Sequence, residues 1–148
     1  MSFSLDQTDE AIMYYLKQNA RESYSAIARS LNVSEGTVRS RINKMLEDEV
    51  FEYVIHTDPK KIGLDVQAIF GINTRLGMQD TIAEKLQAFD SVRFVGAFSG
   101  THDLMLQAYF SENDDLVSFI NTDLAALDGI IDIDVNVELK QYKDSFTY

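Results

Sequence analysis

Between residues 23 and 45 the apolar positions recur twice at helical spacing, with a short break between the two runs. Tyr24, Ile27, Ala28 and Leu31 stand three and four apart, which places them on one face of a helix. Asn32 and Val33 interrupt that stripe. Ser34 follows as an N-cap, its hydroxyl placed to accept from a free backbone N–H of the next turn. A second stripe then runs through Val38, Ile42, Met45 and Leu46. Upstream, residues 6–19 read as a further helix with Leu5, Asp9, Ile12 and Leu16 on one side. Asp6, Asp9 and Glu10 sit at its start, where the helix dipole favours anions. Three short helices with a tight turn before the last outline a helix-turn-helix, whose final helix enters the DNA major groove.

From residue 51 the rhythm changes. Residues 51–57 are aromatic and β-branched and predict a strand, which Asp58-Pro59 breaks; Lys60, Lys61 and Gly63 complete a linker. Residues 66–74 predict a strand. A helix follows over 81–89, with Ile82, Leu86 and Phe89 inward, and strands over 92–98 and 104–110 flank the turn Ser99-Gly100-Thr101-His102. A second helix is expected over 114–127, with Leu116, Phe119, Ile120, Leu124 and Leu127 on its stripe, before Asp128-Gly129 stops it. The last strand, 131–139, alternates strictly, with Ile131, Ile133, Val135, Val137 and Leu139 on one face. The order β-α-β-β-α-β is the ferredoxin-like arrangement, two helices covering one face of a four-stranded antiparallel sheet. The fold class is therefore α+β. Its first part is a winged-helix-like helix-turn-helix domain and its second a ferredoxin-like domain.

The uncovered sheet face is expected to carry Gln67, Ile69, Gly71, Val95, Ala97, Met105, Gln107, Tyr109, Asp132, Asp134 and Asn136. That mixture suits a partly wet association surface, although an antiparallel sheet can also present one face to water. On the last helix of the helix-turn-helix, Gly36, Ser40 and Asn43 point most directly away from Val38. Arg39 flanks them on one side and Thr37 and Lys44 on the other. Small, hydrogen-bonding and cationic side chains on one helix face suit base edges and phosphates. Arg41 falls nearer the core edge, where it can brace the module or reach a phosphate. Tyr24 and Ser34, opening their two helices, complete the set of candidate DNA-binding residues. A helical hairpin with a solvated face would satisfy the same pattern.

Charge first opposes and then refines this picture. The 148 residues carry a formal net charge of −11, whereas phosphate contacts come from Lys and Arg. Residues 21–45 nevertheless hold five cations against two anions, while residues 61–148 hold 6 Lys and Arg against 14 Asp and Glu. Such segregation fits a chain that meets DNA at one end only. Cysteine is absent, no apolar run reaches the length of a membrane span, and the acidic start is unlike a signal peptide. A cytoplasmic protein with no membrane partner is expected. Asp132-x-Asp134-x-Asn136 has Val137 where a calcium loop needs glycine, and His102-Asp103 has no accompanying nucleophile. Neither a metal, nor a cofactor, nor an enzymatic activity is expected.

Several short motifs, weak singly, occur in an order and spacing that carry weight together. They are Leu5-Asp6-x-x-Asp9, Asn19-Ala20-Arg21, Ser34-x-x-Thr37-Val38-x-x-Arg41-Ile42, Asp58-Pro59, Ile62-Gly63, Gly100-x-x-Asp103 and Asp128-Gly129-Ile130. Through them the whole chain resembles the Lrp/AsnC (leucine-responsive, feast–famine) family of prokaryotic transcription regulators. The resemblance implies a helix-turn-helix domain over 1–50, a connecting strand and linker over 51–64, and a regulatory and oligomerisation (RAM) domain over 65–148. It further implies double-stranded DNA as partner and a homodimer formed through the sheet domains, often assembled into tetramers, octamers or larger rings. An amino acid or related small effector is implied near Gly100, Thr101, His102, Asp103 and Asp134. There Asp103 would accept from an ammonium group or simply cap the turn. The family usually has glycine near Glu49 and a Gly-Tyr pair where this chain has Glu52-Tyr53. It often has threonines near positions 133 and 135, here Ile133 and Val135, which favours a ligand with an apolar side chain or the loss of ligand binding. The expected function is a sequence-specific transcription regulator. The rival readings are a DNA-organising protein of low specificity and an amino-acid sensor, or metabolic enzyme, that binds no DNA.

Overall fold

The computed structural model describes residues 4–143, which fall in two compact units meeting in sequence between His56 and Thr57. The first unit is built from α1 (Gln7–Gln18), α2 (Tyr24–Leu31) and α3 (Glu35–Glu47). Ile12, Ile27, Val38, Ile42 and Met45 are wholly buried in its core, the stripes that the spacing predicts. Each helix start is chemically marked. Asp6 caps α1 by accepting from the backbone N–H groups of Thr8 and Asp9 at 2.8 and 2.9 Å, and Asp9 returns the contact by accepting from the Asp6 N–H at 3.1 Å. Ser23 caps α2 and Ser34 caps α3, each giving a backbone donor an oxygen it would otherwise lack.

Helix ends explain two residues that stand at positive φ without being glycine. After α2, Asn32 at φ +53° turns the chain left-handed, and the Val33 N–H reaches back to the Ala28 carbonyl at 3.0 Å. Asparagine tolerates this conformation. After α3, Glu49 at φ +54° does the same, with the Val50 N–H donating to the Met45 carbonyl at 2.8 Å. This is the conformation that favours glycine, and the Cβ of a glutamate in this region costs about 1–2 kcal/mol. Glu49 also adds a third carboxylate, after Glu47 and Asp48, to the negative end of the helix. Glu49→Gly should raise the unfolding free energy of the helical unit by about 0.5–1 kcal/mol, after allowing for the extra freedom of glycine in the unfolded chain. Urea denaturation followed by circular dichroism checks it; an unchanged or lower midpoint would remove the strain argument.

Residues 51–57 do not form the expected strand. Their side chains suit a sheet, but no neighbouring strand pairs with them among the described residues, and Ile55 is 91% exposed. A 3₁₀ turn over Pro59–Ile62 follows, capped by Asp58 and ended by Gly63 at φ +83°.

The second unit contains β1 (Val66–Thr74), α4 (Gln79–Leu86), β2 (Val92–Ala97), β3 (Leu104–Phe110), α5 (Asn113–Ser118) and β4 (Ile130–Val137). The sheet order is β2-β3-β1-β4 with every neighbouring pair antiparallel, which is the ferredoxin-like order. Ala68, Phe70, Ile72, Leu104, Leu106 and Ala108 bury one sheet face against Ile82, Leu86, Leu116, Phe119 and Leu124.

Three details depart from the sequence reading. The helix expected over 114–127 is α-helical only to Ser118 and then widens to a π-helix over Phe119–Leu124. The wide turn accompanies a crowded ring, since Phe119 lies 5.3–5.6 Å from the centroids of Phe70, Phe89 and Phe110. In β4 a bulge opposite Asn73 and Thr74 shifts the alternation. Ile130 and Ile133 pack inward, Ile131 is 65% exposed, and Leu139 lies past the strand end. In β2 the phase is reversed. Phe94 and Gly96 pair with Gln107 and Met105 on the open face, while Val95 and Ala97 pair with Leu106 and Leu104 on the helix side.

Candidate nucleic-acid interface and effector turn

α3 presents Gly36, Arg39, Ser40, Asn43 and Lys44 along one exposed side, where they line a shallow hollow. Thr37 is half-buried beside them, its hydroxyl 2.8 Å from the Ser34 hydroxyl that caps the helix. Glu47 and Asp48 close the C-terminal end of the same hollow. The hollow thus sets Arg39 and Lys44 against Glu47 and Asp48, and Glu35 adds a carboxylate to the first turn of α3.

The two arginines of α3 have separate tasks. Arg39 is held by Glu35 at 2.8 Å, both side chains well exposed, and its guanidinium lies 5.6 Å from the centroid of the Tyr24 ring. Arg41 turns the other way and bonds Asp6 at 2.6 Å and Asp9 at 2.9 Å. It therefore braces α3 to the N-terminal cap of α1. The Arg41 hydrogen bond, aided by the backbone N–H of Asp9, holds the Asp6 carboxyl down at about 2, and the same two aspartates raise Arg41.

A depressed carboxylate stabilises the fold above its ordinary pKa and loses that contribution as pH falls through the folded value. The brace is therefore complete above about pH 4 and fails as pH drops toward 2. Arg41→Ala should return the Asp6 titration toward its ordinary value of 3.8 and lower the acid tolerance of the helical unit. Carboxyl NMR titration checks this, and an unmoved Asp6 would overturn the brace.

In the second unit Gly100 and Thr101 are exposed in the turn between β2 and β3. Asp103 is fully engaged. Its carboxylate accepts from the Thr74 N–H at 2.8 Å and the Thr74 hydroxyl at 3.2 Å, and its carbonyl accepts from the Gln79 side chain at 2.7 Å. That is the work of a turn-capping group, joining β1, α4 and the turn. His102 instead lays its ring across the open sheet face at Gly71. A Cβ built there would come within 2.4 Å of the ring, so only glycine admits it. Nε2 of His102 stands 3.2 Å from Asp134 of β4, and Nδ1 is buried with no hydrogen-bond partner among the described residues.

The structure thus brings His102 and Asp134 together and leaves Gly100 and Thr101 at the rim. Ile133 and Val135 pair with Ile72 and Phe70 on the helix side, so the apolar residues at these positions lie away from the open face. Sequence reasoning missed Phe94 and Phe98, an edge-on pair with centroids 6.4 Å apart, both nearly half-exposed. Their i, i+4 spacing with Gly96 between was the available signal. No group of three or more His, Asp or Glu close enough to hold a metal occurs among the described residues, and no helix there is long and apolar enough to cross a membrane.

Three capped helices with a cation-bearing exposed third helix, followed by a ferredoxin-like unit, define a DNA-binding regulator with a separate sensory domain. The AsnC-type helix-turn-helix domain matches residues 5–46 and the Lrp/AsnC ligand binding domain matches residues 67–148. The chain belongs to the Lrp/AsnC family, whose members are transcription regulators and not enzymes. It is 31% identical over 140 residues to the regulator LrpA of Pyrococcus horikoshii, covering 94% of this chain and 99% of that one. It is 34% identical over 128 residues to LrpA1 of Halobacterium salinarum, covering 86% and 90%. Among solved structures, E. coli AsnC superposes with a TM-score of 0.91 at 22% identity, covering 98% of this chain and 99% of that one. A Neisseria meningitidis transcriptional regulator in complex with L-Met gives 0.89 at 22% identity, covering 98% and 96%.

Proposed function

We propose that this regulator binds duplex DNA sequence-specifically as a homodimer joined through the open sheet faces, and that a small effector of the amino-acid class acts beside His102 and Asp134. The observation that carries the reading is the open face itself, where Ile69, Phe94 and Phe98 stand exposed in one unit. Aromatic and aliphatic side chains so placed, rimmed by Asp132 and Asp134, suit a protein interface better than water. A low-specificity DNA-organising role fits less well, because such binding rests on positive charge and the chain is strongly acidic. Selection of duplexes from a random library at physiological salt separates the two. A regulator yields a conserved, two-fold-symmetric site, and an organiser yields none.

For the effector, the engagement of Asp103 moves the candidate ammonium acceptor to Asp134. The L-Met held by the Neisseria regulator supports the ligand class. Thermal-shift screening of the twenty amino acids should find a stabilising ligand, worth about 2.7 kcal/mol at a hundred times its dissociation constant. Asp134→Asn or His102→Ala should abolish the shift, whereas Asp103→Asn should lower the melting temperature without any ligand. No shift at millimolar amino acid would leave a regulator that does not respond to amino acids.

A further inference from the structure

Gly71 lies in the middle of β1, where a glycine weakens a strand. Its φ is not positive, so the backbone conformation does not call for glycine. The His102 ring does. Gly71 is on the sheet face that no helix covers, yet it is buried, because the ring fills the space a side chain would take. A Cβ at this position would stand 2.4 Å from Cδ2 and 2.6 Å from Cγ and Nε2 of His102. The base of His102 is fixed by the next residue. Asp103 donates its N–H to the Ile72 carbonyl at 3.1 Å and accepts at its carboxylate from the Thr74 N–H at 2.8 Å. From that anchor the ring runs across β1 to Asp134, the β4 residue directly opposite Gly71 in the register. Oδ2 of Asp134 is 3.2 Å from Nε2. The same contacts place the hydrogen of the neutral ring. A carboxylate only accepts, so a bare Nε2 would set acceptor against acceptor. Nδ1 is buried with no partner among the described residues, where an N–H would be an unpaired donor. The hydrogen therefore belongs on Nε2, beside Oδ2.

We infer that Gly71 is a positioning residue for the effector: it seats the His102 ring, the ring holds Oδ2 of Asp134, and Oδ1 is left to accept from the ligand's ammonium. The Asp134 side chain is 63% exposed, and without a neighbour it would have to be ordered at the moment of binding. Held in advance, it presents one oxygen in one place, which removes part of the ordering cost from the ligand's affinity. The arrangement also sets the ligand's chemistry. An oxygen that only accepts requires a charged donor, so the effector carries a free ammonium group. An N-acylated amino acid has lost both the charge and the donors that Oδ1 needs.

The inference rests on the reading that an amino acid acts at Asp134, and the experiment separates the two. Calorimetry on the full-length protein with each of the twenty amino acids identifies the tightest, which is then compared with its N-acetyl derivative. The amino acid should bind and the derivative should not. Gly71→Ala should weaken the amino acid about tenfold or more, the cost of a lost hydrogen bond to a charged group, and should lower the melting temperature. In a His102→Ala background the same change at Gly71 should no longer destabilise, because the ring it collides with is gone. His102→Phe keeps a ring over Gly71 but has no N–H. It should weaken the ligand about tenfold while the protein stays folded, which tests the chain of contacts even if Gly71→Ala does not fold. Unchanged affinity in Gly71→Ala or His102→Phe would overturn the inference, as would equal binding of the N-acetyl derivative. So would equal destabilisation by Gly71→Ala with and without His102. Loss of assembly by Gly71→Ala in sedimentation would give the glycine to the subunit interface instead. If no amino acid binds the unaltered protein, the effector reading itself fails and the inference with it.

Discussion

Replacing Arg39, Ser40, Asn43 and Lys44 together by alanine should remove specific DNA binding while leaving the helical unit folded. All four side chains are exposed on one side of α3, and alanine is a good helix former at each position. The N-cap at Ser34 and the brace from Arg41 to Asp6 and Asp9 are untouched. Each well-placed base contact contributes about 1–3 kcal/mol of discrimination. Removing two of them lowers the affinity for each half-site by roughly one to four powers of ten. The cations act differently from the amides and hydroxyls. Lys44→Ala alone should weaken all duplexes alike and reduce the salt slope by about one for every phosphate the lysine neutralises. Asn43→Ala should change which duplexes are preferred. Glu35→Ala, which releases Arg39 from its carboxylate partner, should strengthen non-specific binding at low salt. Fluorescence anisotropy over a salt series measures all of these. Full retention of specific binding by the fourfold variant would exclude α3 as the reading helix.

The helical half was legible because its signals are local. An N-cap serine, a stripe at three and four and a polar break act within a few residues, and Asp6, Ser23 and Ser34 each cap the helix that follows them. The strands β1 and β3 were legible for the same reason, being continuous and buried on one face. What failed depended on partners distant in sequence. Residues 51–57 have strand composition, but a strand is made by a neighbour that supplies its hydrogen bonds, and a sequence does not display that neighbour. The phase of β2 was ambiguous because Val92, Phe94, Val95, Ala97 and Phe98 make both of its faces apolar. Only the pairing with β3 decides which side is covered. The bulge opposite Asn73 likewise moved Ile131 out of a stripe that looked regular. At the turn, the spacing of Gly100 and Asp103 marked the right place but not the division of labour. Asp103 is bound into the fold, whereas His102 crosses Gly71 to Asp134, a contact spanning 32 positions of sequence.

If the proposed dimer forms through the open sheet face, Phe94→Asp should separate its protomers and, through that, cost DNA affinity at a distance from the DNA. In a two-fold interface the same residue is used by both subunits, so one substitution removes two buried rings and places two carboxylates on a face that already carries Asp132 and Asp134. Burying a phenylalanine side chain contributes about 1.5–3 kcal/mol. Phe94 is 48% exposed before association, so about half of that gain is available per ring, and loss of two rings alone weakens association by roughly one to two powers of ten, before the added repulsion. Analytical ultracentrifugation at micromolar concentration should show a monomer with unchanged secondary structure, because Phe94 faces away from the helix-covered core. A monomer engages one half-site at a time. The second contact is no longer intramolecular, and affinity for a two-half-site duplex falls by about 10²–10⁴ although α3 is unaltered. Leu76→Asp is the control, since Leu76 is fully exposed in the turn between β1 and α4 and carries an equal change of charge. It should leave both assembly and DNA binding unchanged. A Phe94→Asp protein that remained dimeric would place the interface on another surface. One that became monomeric yet kept full DNA affinity would show that a single recognition helix suffices.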